Sequence, residues 1–240
     1  MLFANSLVDG FLGSNFTGQV LVLIQLAGSV VMVATILGKW RSLAATFRDT
    51  RRFLSDFSAG QDALEYYIQR RPSSQSGIVW IYRDVCERLL KLLAPDVRTL
   101  LVGRQTDGNG SAALTAREVE LVRGTCDHAL DEEEIRVEHG MSIIATVVAL
   151  EPMLGLLGTV WGVLDAFAEM GTAGSANLAT IAPSISAALV TTVVGLLVAI
   201  PGVIAFNFMN TRIRDITSDM EGFADELMAR IACEFQGKGL

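Results

Sequence analysis

The stretch from Ala149 to Phe167 reads ALEPMLGLLGTVWGVLDAF, and a second stretch from Leu178 to Asn207 reads LATIAPSISAALVTTVVGLLVAIPGVIAFN. Each is long enough to cross a bilayer as a helix, because a hydrocarbon core of about 30 Å needs about 20 helical residues. Each also repeats small and hydroxylated residues on one face, which a helix surrounded only by lipid has no need of. The two stretches therefore predict a transmembrane hairpin that lines a polar path.

Charged residues are segregated along the 240-residue chain. No ionisable side chain occurs from Gly10 to Gly38 or from Met170 to Thr211, and the stretch from Met141 to Leu164 contains only Glu151. The gaps predict an all-α membrane protein with spans at 18–38, about 141–164 and 178–211.

The basic residues predict how these spans are oriented. All 19 Lys and Arg side chains fall between Lys39 and Arg136 or between Arg212 and Lys238. Basic residues stay on the cytoplasmic side of short loops. We therefore expect a periplasmic N-terminus, a periplasmic connection at 169–177 and a cytoplasmic C-terminus.

Helical periodicity and chain breaks divide the remaining sequence. Thr115 and Glu118 match a capping box, which predicts a helix start. Residues 1–17 should form an N-terminal segment that is either disordered or lies at the membrane surface, and residues 39–115 a cytoplasmic helical region with breaks at 72–77 and 103–111. One long helix is expected at 116–168 and should contain the second span. A cytoplasmic helix at 212–240 should continue from the third span.

Small residues recur at helical spacing in both segments of the hairpin. In the second span they share one face and would let another helix approach closely. A matching stripe runs along the third span. The candidate packing or partner-contact positions are Gly155, Gly158, Gly162, Ala188, Gly195 and Pro201.

Hydroxyl groups accompany these small residues and carry the functional hypothesis. A Ser or Thr in a membrane helix can bond its own backbone, so interhelical packing alone would also explain such residues. Their clustering equally suits a polar pore face. The candidate pore-lining hydroxyls are Thr159, Ser184, Thr191 and Thr192.

Glu151 is the single acid inside a predicted span. A charge at the centre of a bilayer costs at least about 2.5 kcal/mol, so we expect a functional or paired group. The alternative is a helix that enters the membrane later and leaves Glu151 wet at the cytoplasmic boundary. If Thr159 and Thr192 lie at one depth, Glu151 is level with Ile200 and Pro201, where a proton or water could leave.

Other chemistries find little support in the sequence. A net charge of −7 argues against nucleic acid. The two His residues lack partners at ligand spacing, and catalysis lacks a nucleophile or base, so we expect neither a metal, nor a cofactor, nor an enzyme. An acidic run, Asp131 to Glu134, predicts a solvated face or, in a ring of subunits, a vestibule that attracts cations.

The segments PMLGLLGTVWGVLDAF from Pro152 and IAPSISAALVTTVVGLLVAIPGVIAFN from Ile181 resemble the TolQ/ExbB family of bacterial inner-membrane motor proteins, relatives of the flagellar stator subunit MotA. The resemblance covers roughly residues 115 to 230. It implies a pentamer that encloses the helices of a single-span partner of the TolR/ExbD type. In the family, that partner supplies an Asp that carries the proton, and Thr159 and Thr192 match the family's pore threonines.

One position departs from the family pattern. The family often reads A-P-x-I-A-E-A-L, whereas this chain reads APSISAAL from Ala182 to Leu189, so Ala187 replaces a glutamate. An acid at that place cannot belong to this chain's proton path, and Glu151 could be a substitute elsewhere along the route.

These observations predict a subunit of a proton-driven motor that powers envelope maintenance or outer-membrane transport. The alternatives are a gliding or flagellar-type stator subunit, and a passive scaffold that clamps partner helices without conducting ions.

Overall fold

The computed structural model describes residues 11, 15–57, 64–70, 77–93, 114–173 and 178–235. These residues form six helices. They are α1 (Phe16–Phe57), α2 (Glu65–Arg70), α3 (Ile78–Leu92), α4 (Ala116–Glu138), α5 (Met141–Ala173) and α6 (Leu178–Phe235). The all-α prediction is confirmed.

Three helical stretches of the described chain are long and apolar enough to cross a membrane, namely 16–57, 116–172 and 181–235. They include the predicted spans at 18–38 and about 141–164, and they overlap the span predicted at 178–211 from residue 181 onward. The first helix runs well past the predicted end of its span at Gly38 and ends at Phe57. The third span and the C-terminal helix form one continuous α6, as the sequence predicts.

The long helix expected at 116–168 is instead two helices. It begins as predicted, since Thr115 and Glu118 form both hydrogen bonds of the capping box. It is then interrupted at His139 and Gly140, because Gly140 has a φ of 85°, in the left-handed region that glycine tolerates best. The predicted periplasmic connection also starts later, since α5 continues to Ala173.

Several expectations fall on residues outside the described ranges. These are the interfacial or disordered character of the N-terminus through residue 10 and the break at 103–111. Of the break at 72–77, only Gly77 is described, and its φ of 64° is again in the left-handed region.

The chain divides into two compact units. We call the first the apolar unit, which consists of the residues up to Trp40 together with Gly140–Asn210. The second, the polar unit, consists of Arg41–His139 and the residues from Thr211 onward.

Aromatic rings fill the core of the polar unit. Phe223 of α6 lies with its ring centroid 5.2 Å from Phe57 and 5.5 Å from Phe53 of α1. Tyr82 of α3 contacts the same rings and is fully buried. Edge-to-face contacts of this kind add to the free energy gained by burying the rings.

A buried carboxylate joins α4 to the start of α3 in the polar unit. Glu133 is 1% exposed and accepts hydrogen bonds from the backbone N–H of Gly77 at 2.6 Å and from Arg136 Nη1 at 2.6 Å. The acidic run is therefore not a uniformly solvated face, since one of its members holds a helix N-terminus. Burial raises the pKa of Glu133, although the contacts with Gly77 and Arg136 oppose this.

Replacing Glu133 by Ala should destabilise the polar unit by about 1–3 kcal/mol, because the N–H of Gly77 loses its acceptor inside the protein. Glu133→Gln keeps an acceptor and should cost less. Because the raised pKa means that the folded state binds the proton more tightly, the wild-type group favours folding most at low pH, and this contribution is lost as the pH rises through the folded-state pKa. Thermal unfolding in detergent at several pH values measures both effects.

The exposed neighbour Glu132 provides the matched control. Glu132→Gln removes only the weakest of the influences on the pKa of Glu133 and should lower the stability far less than Glu133→Ala. An equal effect of the Glu132 and Glu133 substitutions would show that the buried contact contributes nothing.

Candidate ion path in the apolar unit

Glycines on α5 allow α6 to approach at van der Waals contact. A Cβ added to Gly155 would lie 2.9 Å from the Cα of Thr192, which is closer than real side-chain contacts allow. A Cβ added to Gly158 would collide with the side chain of Thr191, and one added to Gly162 with Ala188. We call this line of contacts the glycine seam.

The seam aligns α5 and α6 differently from the sequence-based expectation, which placed Thr159 and Thr192 at one depth. Thr192 lies opposite Gly155 and not opposite Thr159. Gly195 lies against the backbone of Glu151, since an added Cβ would be 2.5 Å from Glu151 O. Glu151 is therefore level with Gly195 and not with Ile200, a shift of about one helical turn.

The threonine hydroxyls along the seam all bond backbone carbonyls. Thr191 is buried, and its Oγ1 donates to Ala188 O at 2.7 Å and to Gly155 O at 3.1 Å. Thr192 Oγ1 donates to the same Gly155 carbonyl at 2.9 Å. Thr159 Oγ1 donates within its own helix, to Leu156 O at 2.7 Å.

Two of these threonines also reach the surface of the apolar unit. Thr159 and Thr192 are partly exposed, whereas Thr191 is enclosed between the helices. Thr159 lies one turn along α5 from Gly155, so both hydroxyl-bearing side chains border the seam. They interrupt a surface with many exposed apolar side chains, including Leu156, Val160 and Leu196.

Polar side chains gather at the end of the seam where Ser184 lies. Ser184 Oγ donates to Glu169 Oε2 at 3.4 Å, and Asn15 Nδ2, just before the start of α1, donates to Asp165 Oδ2 at 2.9 Å. A small cleft beside them is lined in part by Gly158, Gly162, Asp165, Ser184, Ala187 and Ala188.

Ala187, which stands where the family often has glutamate, is 4% exposed and lines this cleft. The nearest carboxyl group in the lining belongs to Asp165 of α5. The pairing of Asp165 with Asn15 could not be predicted, because two polar residues so far apart in the chain have no sequence signal that links them.

Gln25 of α1 ties all three helices together. Its Nε2 donates to Glu151 O and to Thr191 O, both at 3.2 Å. Gln25 is 0% exposed and Glu151 is 2% exposed, so the side chain of Glu151 is enclosed within the apolar unit. We call this contact of Gln25, Glu151 and Thr191 the polar junction.

Gly28 and Gly202 complete the packing of α1. A Cβ on Gly28 would lie 2.5 Å from Glu151 Oε1, and one on Gly202 would lie 2.7 Å from Met32 Sδ. Pro201, beside Gly202, is exposed on α6 and cannot donate a backbone hydrogen bond to the preceding turn. It lies beyond the level of Glu151, so the two do not form the single polar spot that the sequence suggested.

Comparisons with known proteins agree with the resemblance seen in the sequence. The model of the MotA/TolQ/ExbB proton channel family matches residues 101–222. The chain is 28% identical to the Tol-Pal system protein TolQ of Haemophilus influenzae over 96% of both chains. It is 32% identical to the Tol-Pal system protein TolQ of Pseudomonas aeruginosa over 88% of this chain and 86% of that one.

A third relative matches over a shorter length. The chain is 41% identical over 96 residues to the biopolymer transport protein ExbB of Neisseria gonorrhoeae, which is 40% of this chain and 44% of that protein. The family model and the near full-length relatives together establish that this chain belongs to the MotA/TolQ/ExbB proton channel family.

Proposed function

We propose that this chain is a subunit of an inner-membrane motor driven by the proton-motive force. Five copies surround the helices of a single-span partner of the TolR/ExbD type, whose Asp carries the proton. Proton flow moves the partner relative to the ring, and this movement does work on the cell envelope, as in Tol-Pal envelope maintenance or energised outer-membrane transport. The N-terminus is periplasmic and the C-terminus cytoplasmic.

The observation that carries this proposal is the pair of partly exposed threonines beside the glycine seam. A helix surface that faces lipid gains nothing from hydroxyl groups, whereas a carboxyl group brought by another chain needs hydrogen-bonding partners inside the membrane. Thr159 and Thr192 offer such partners on an otherwise apolar surface. In the assembled ring this surface faces the lumen.

The other candidate residues have supporting places in this arrangement. The buried hydroxyl of Thr191 holds the seam closed, and Ser184 brings a hydroxyl to the end of the seam near Asp165. Gly155, Gly158, Gly162, Ala188 and Gly195 bring the two backbones together. Glu151 contributes a carboxyl group deeper in the subunit.

Proton uptake by liposomes tests the proposal. The chain is reconstituted together with its single-span partner, a membrane potential is imposed, and the internal pH is followed with a dye. We expect uptake that needs both chains, that is lost when the partner's intramembrane Asp is changed to Asn, and that continues without sodium. A complex that assembles but takes up no protons under any potential would refute a conducting motor.

A passive scaffold is the competing function, and one observation favours it. The hydroxyls of Thr159, Thr191 and Thr192 all donate to backbone carbonyls, which is what interhelical or intrahelical packing alone requires. In that case the partner's helices would be held without ion flow. The same liposome measurement separates the two functions, because a scaffold gives stable complexes and no uptake.

A further inference from the structure

A carboxyl group lies buried where three helices of the apolar unit meet. Glu151 of α5 is 2% exposed, and its neighbours in the polar junction, Gln25 and Thr191, are 0% and 1% exposed. The carboxyl group also faces the backbone of α1, since a Cβ on Gly28 would lie 2.5 Å from Glu151 Oε1. Glu151 is therefore enclosed by its own subunit before any other chain is added.

Two oxygen atoms in the polar junction have no hydrogen-bond partner among the described residues, namely Glu151 Oε2 and Gln25 Oε1. The orientation of the Gln25 amide follows from its other end, because Nε2 donates to two carbonyl oxygens. An ionised carboxylate only accepts hydrogen bonds, so both atoms would remain acceptors without a donor. A buried acceptor without a donor destabilises the folded state, and a charged one does so more strongly.

No cationic side chain on the packed helix segments can balance a negative charge on Glu151. The sequence has no ionisable side chain between Phe16 and Gly38 of α1 or between Leu178 and Asn210 of α6. On α5, Glu151 is the single ionisable residue between Met141 and Leu164. A proton on Oε2 removes the charge and gives the carboxyl group an O–H donor, in a junction where Gln25 Oε1 lacks a donor.

We propose that Glu151 holds a proton within each subunit, as a neutral carboxyl group whose O–H on Oε2 is hydrogen-bonded to Gln25 Oε1. The use of this proton in ion passage rests on the proposed function, whereas its presence on Glu151 does not. Separation of α1 from α5 would admit water, to which Oε2 releases the proton. When the helices close again, Oε2 takes up one proton, so the cycle balances.

Infrared spectra of the full-length chain in lipid, without partner and without an ion gradient, test the proposal. At neutral pH the difference between wild type and Glu151→Gln should contain the C=O stretching band of a protonated carboxyl group, shifted in D2O. The control is Glu120→Gln, at an exposed position on α4, which should remove carboxylate bands. Loss of carboxylate bands in Glu151→Gln as well would overturn the proposal.

A matched pair of glycine substitutions on α1 tests the geometry. Gly28→Ala places a Cβ against Glu151 Oε1 and should shift the carboxyl band, whereas Gly38→Ala, whose Cβ meets nothing within 4 Å, should leave it unchanged. Gln25→Met removes the acceptor at similar volume and should move the band to the higher frequency of a more weakly bonded O–H. A band that neither Gly28→Ala nor Gln25→Met moves would refute the assigned hydrogen bond.

Proton uptake then separates this inference from the proposed function. We expect Glu151→Gln to slow uptake by about tenfold, the effect of about 1.4 kcal/mol on a barrier, with assembly unchanged. A wild-type complex that shows the carboxyl band but takes up no protons would refute the proposed motor function and leave the protonated Glu151 standing. A conducting complex in which Glu151 is ionised would refute the proton-holding carboxyl group alone.

Discussion

Thr192→Val is expected to slow proton-coupled work strongly while the subunit still folds and assembles. Valine has nearly the shape of threonine, so the seam stays filled. The substitution removes one hydrogen bond to Gly155 O, but the O–H of Thr191, which is shared with Ala188 O, still lies 3.1 Å from that carbonyl. The folding cost should therefore stay near about 1 kcal/mol, the usual net contribution of a single hydrogen bond.

The effect on ion passage should be much larger than the effect on folding. A hydrogen bond to a charged group contributes about 1.5–3 kcal/mol. Its loss along the path should slow uptake roughly tenfold to a hundredfold. Thr159→Val should act similarly, because its hydroxyl bonds only its own helix and is not needed to join α5 to α6. Liposome uptake and size-exclusion chromatography measure passage and assembly separately.

Thr146→Val is the matched control for both substitutions. Thr146 lies on α5, is exposed, and donates to Ser142 O at 2.8 Å, so it repeats the chemistry of Thr159 away from the glycine seam. It should leave uptake unchanged. If Thr159→Val and Thr192→Val conduct as well as Thr146→Val, the pore-lining assignment is wrong.

The second large effect is expected from Gly195→Ala, this time on folding. An added Cβ would lie 2.5 Å from the backbone oxygen of Glu151 and 2.8 Å from Gln25 Nε2. Neither atom can yield easily, because one belongs to the backbone of α5 and the other is held by two hydrogen bonds. Overpacking of this kind costs about 1–3 kcal/mol, and displacing the Gln25 amide adds to it.

Thermal unfolding in detergent should show this loss as a lower midpoint for Gly195→Ala. Gly222→Ala, on the same helix, is the control, because a Cβ there meets nothing within 4 Å and alanine favours a helix over glycine. Gly222→Ala should be neutral or stabilising. Equal midpoints for the two variants would mean that α5 and α6 are not in the close contact described.

The helices and spans could be predicted from sequence because lipid imposes a strong constraint. A bilayer excludes charge over about 20 residues at a time, so gaps such as Gly10 to Gly38 are visible without a structure. The capping box at Thr115 was equally local, since both of its partners lie within one turn.

The break at Gly140 could not be predicted in the same way. Gly124 lies inside α4 and remains helical, so the presence of glycine does not by itself end a helix. Gly140 adopts a left-handed φ, and an added Cβ would contact the side chain of Thr35 from α1. Glycine permits this conformation without requiring it, so the sequence alone does not locate the break.

The alignment of α5 with α6 was wrong by about one turn for a related reason. Small residues recur every three or four positions on both helices, so sliding one helix by a turn preserves the match of small residues. Gln25 of α1 distinguishes the two alignments. Its amide donates to both Glu151 O and Thr191 O in the observed alignment. The same contact encloses Glu151, which the sequence left either buried or wet.

The carbonyl of Gly155 has more donors than it needs. It accepts from Thr191 at 3.1 Å and from Thr192 at 2.9 Å, and in a regular helix the N–H of Thr159 points at it as well. If the side chain of Thr192 rotates, this oxygen is still satisfied, so the rotation is energetically inexpensive. Rotamer changes of exposed side chains take picoseconds to nanoseconds. In the proposed motor, Thr192 would therefore offer its O–H to a passing carboxylate and withdraw it again far faster than any helix can move.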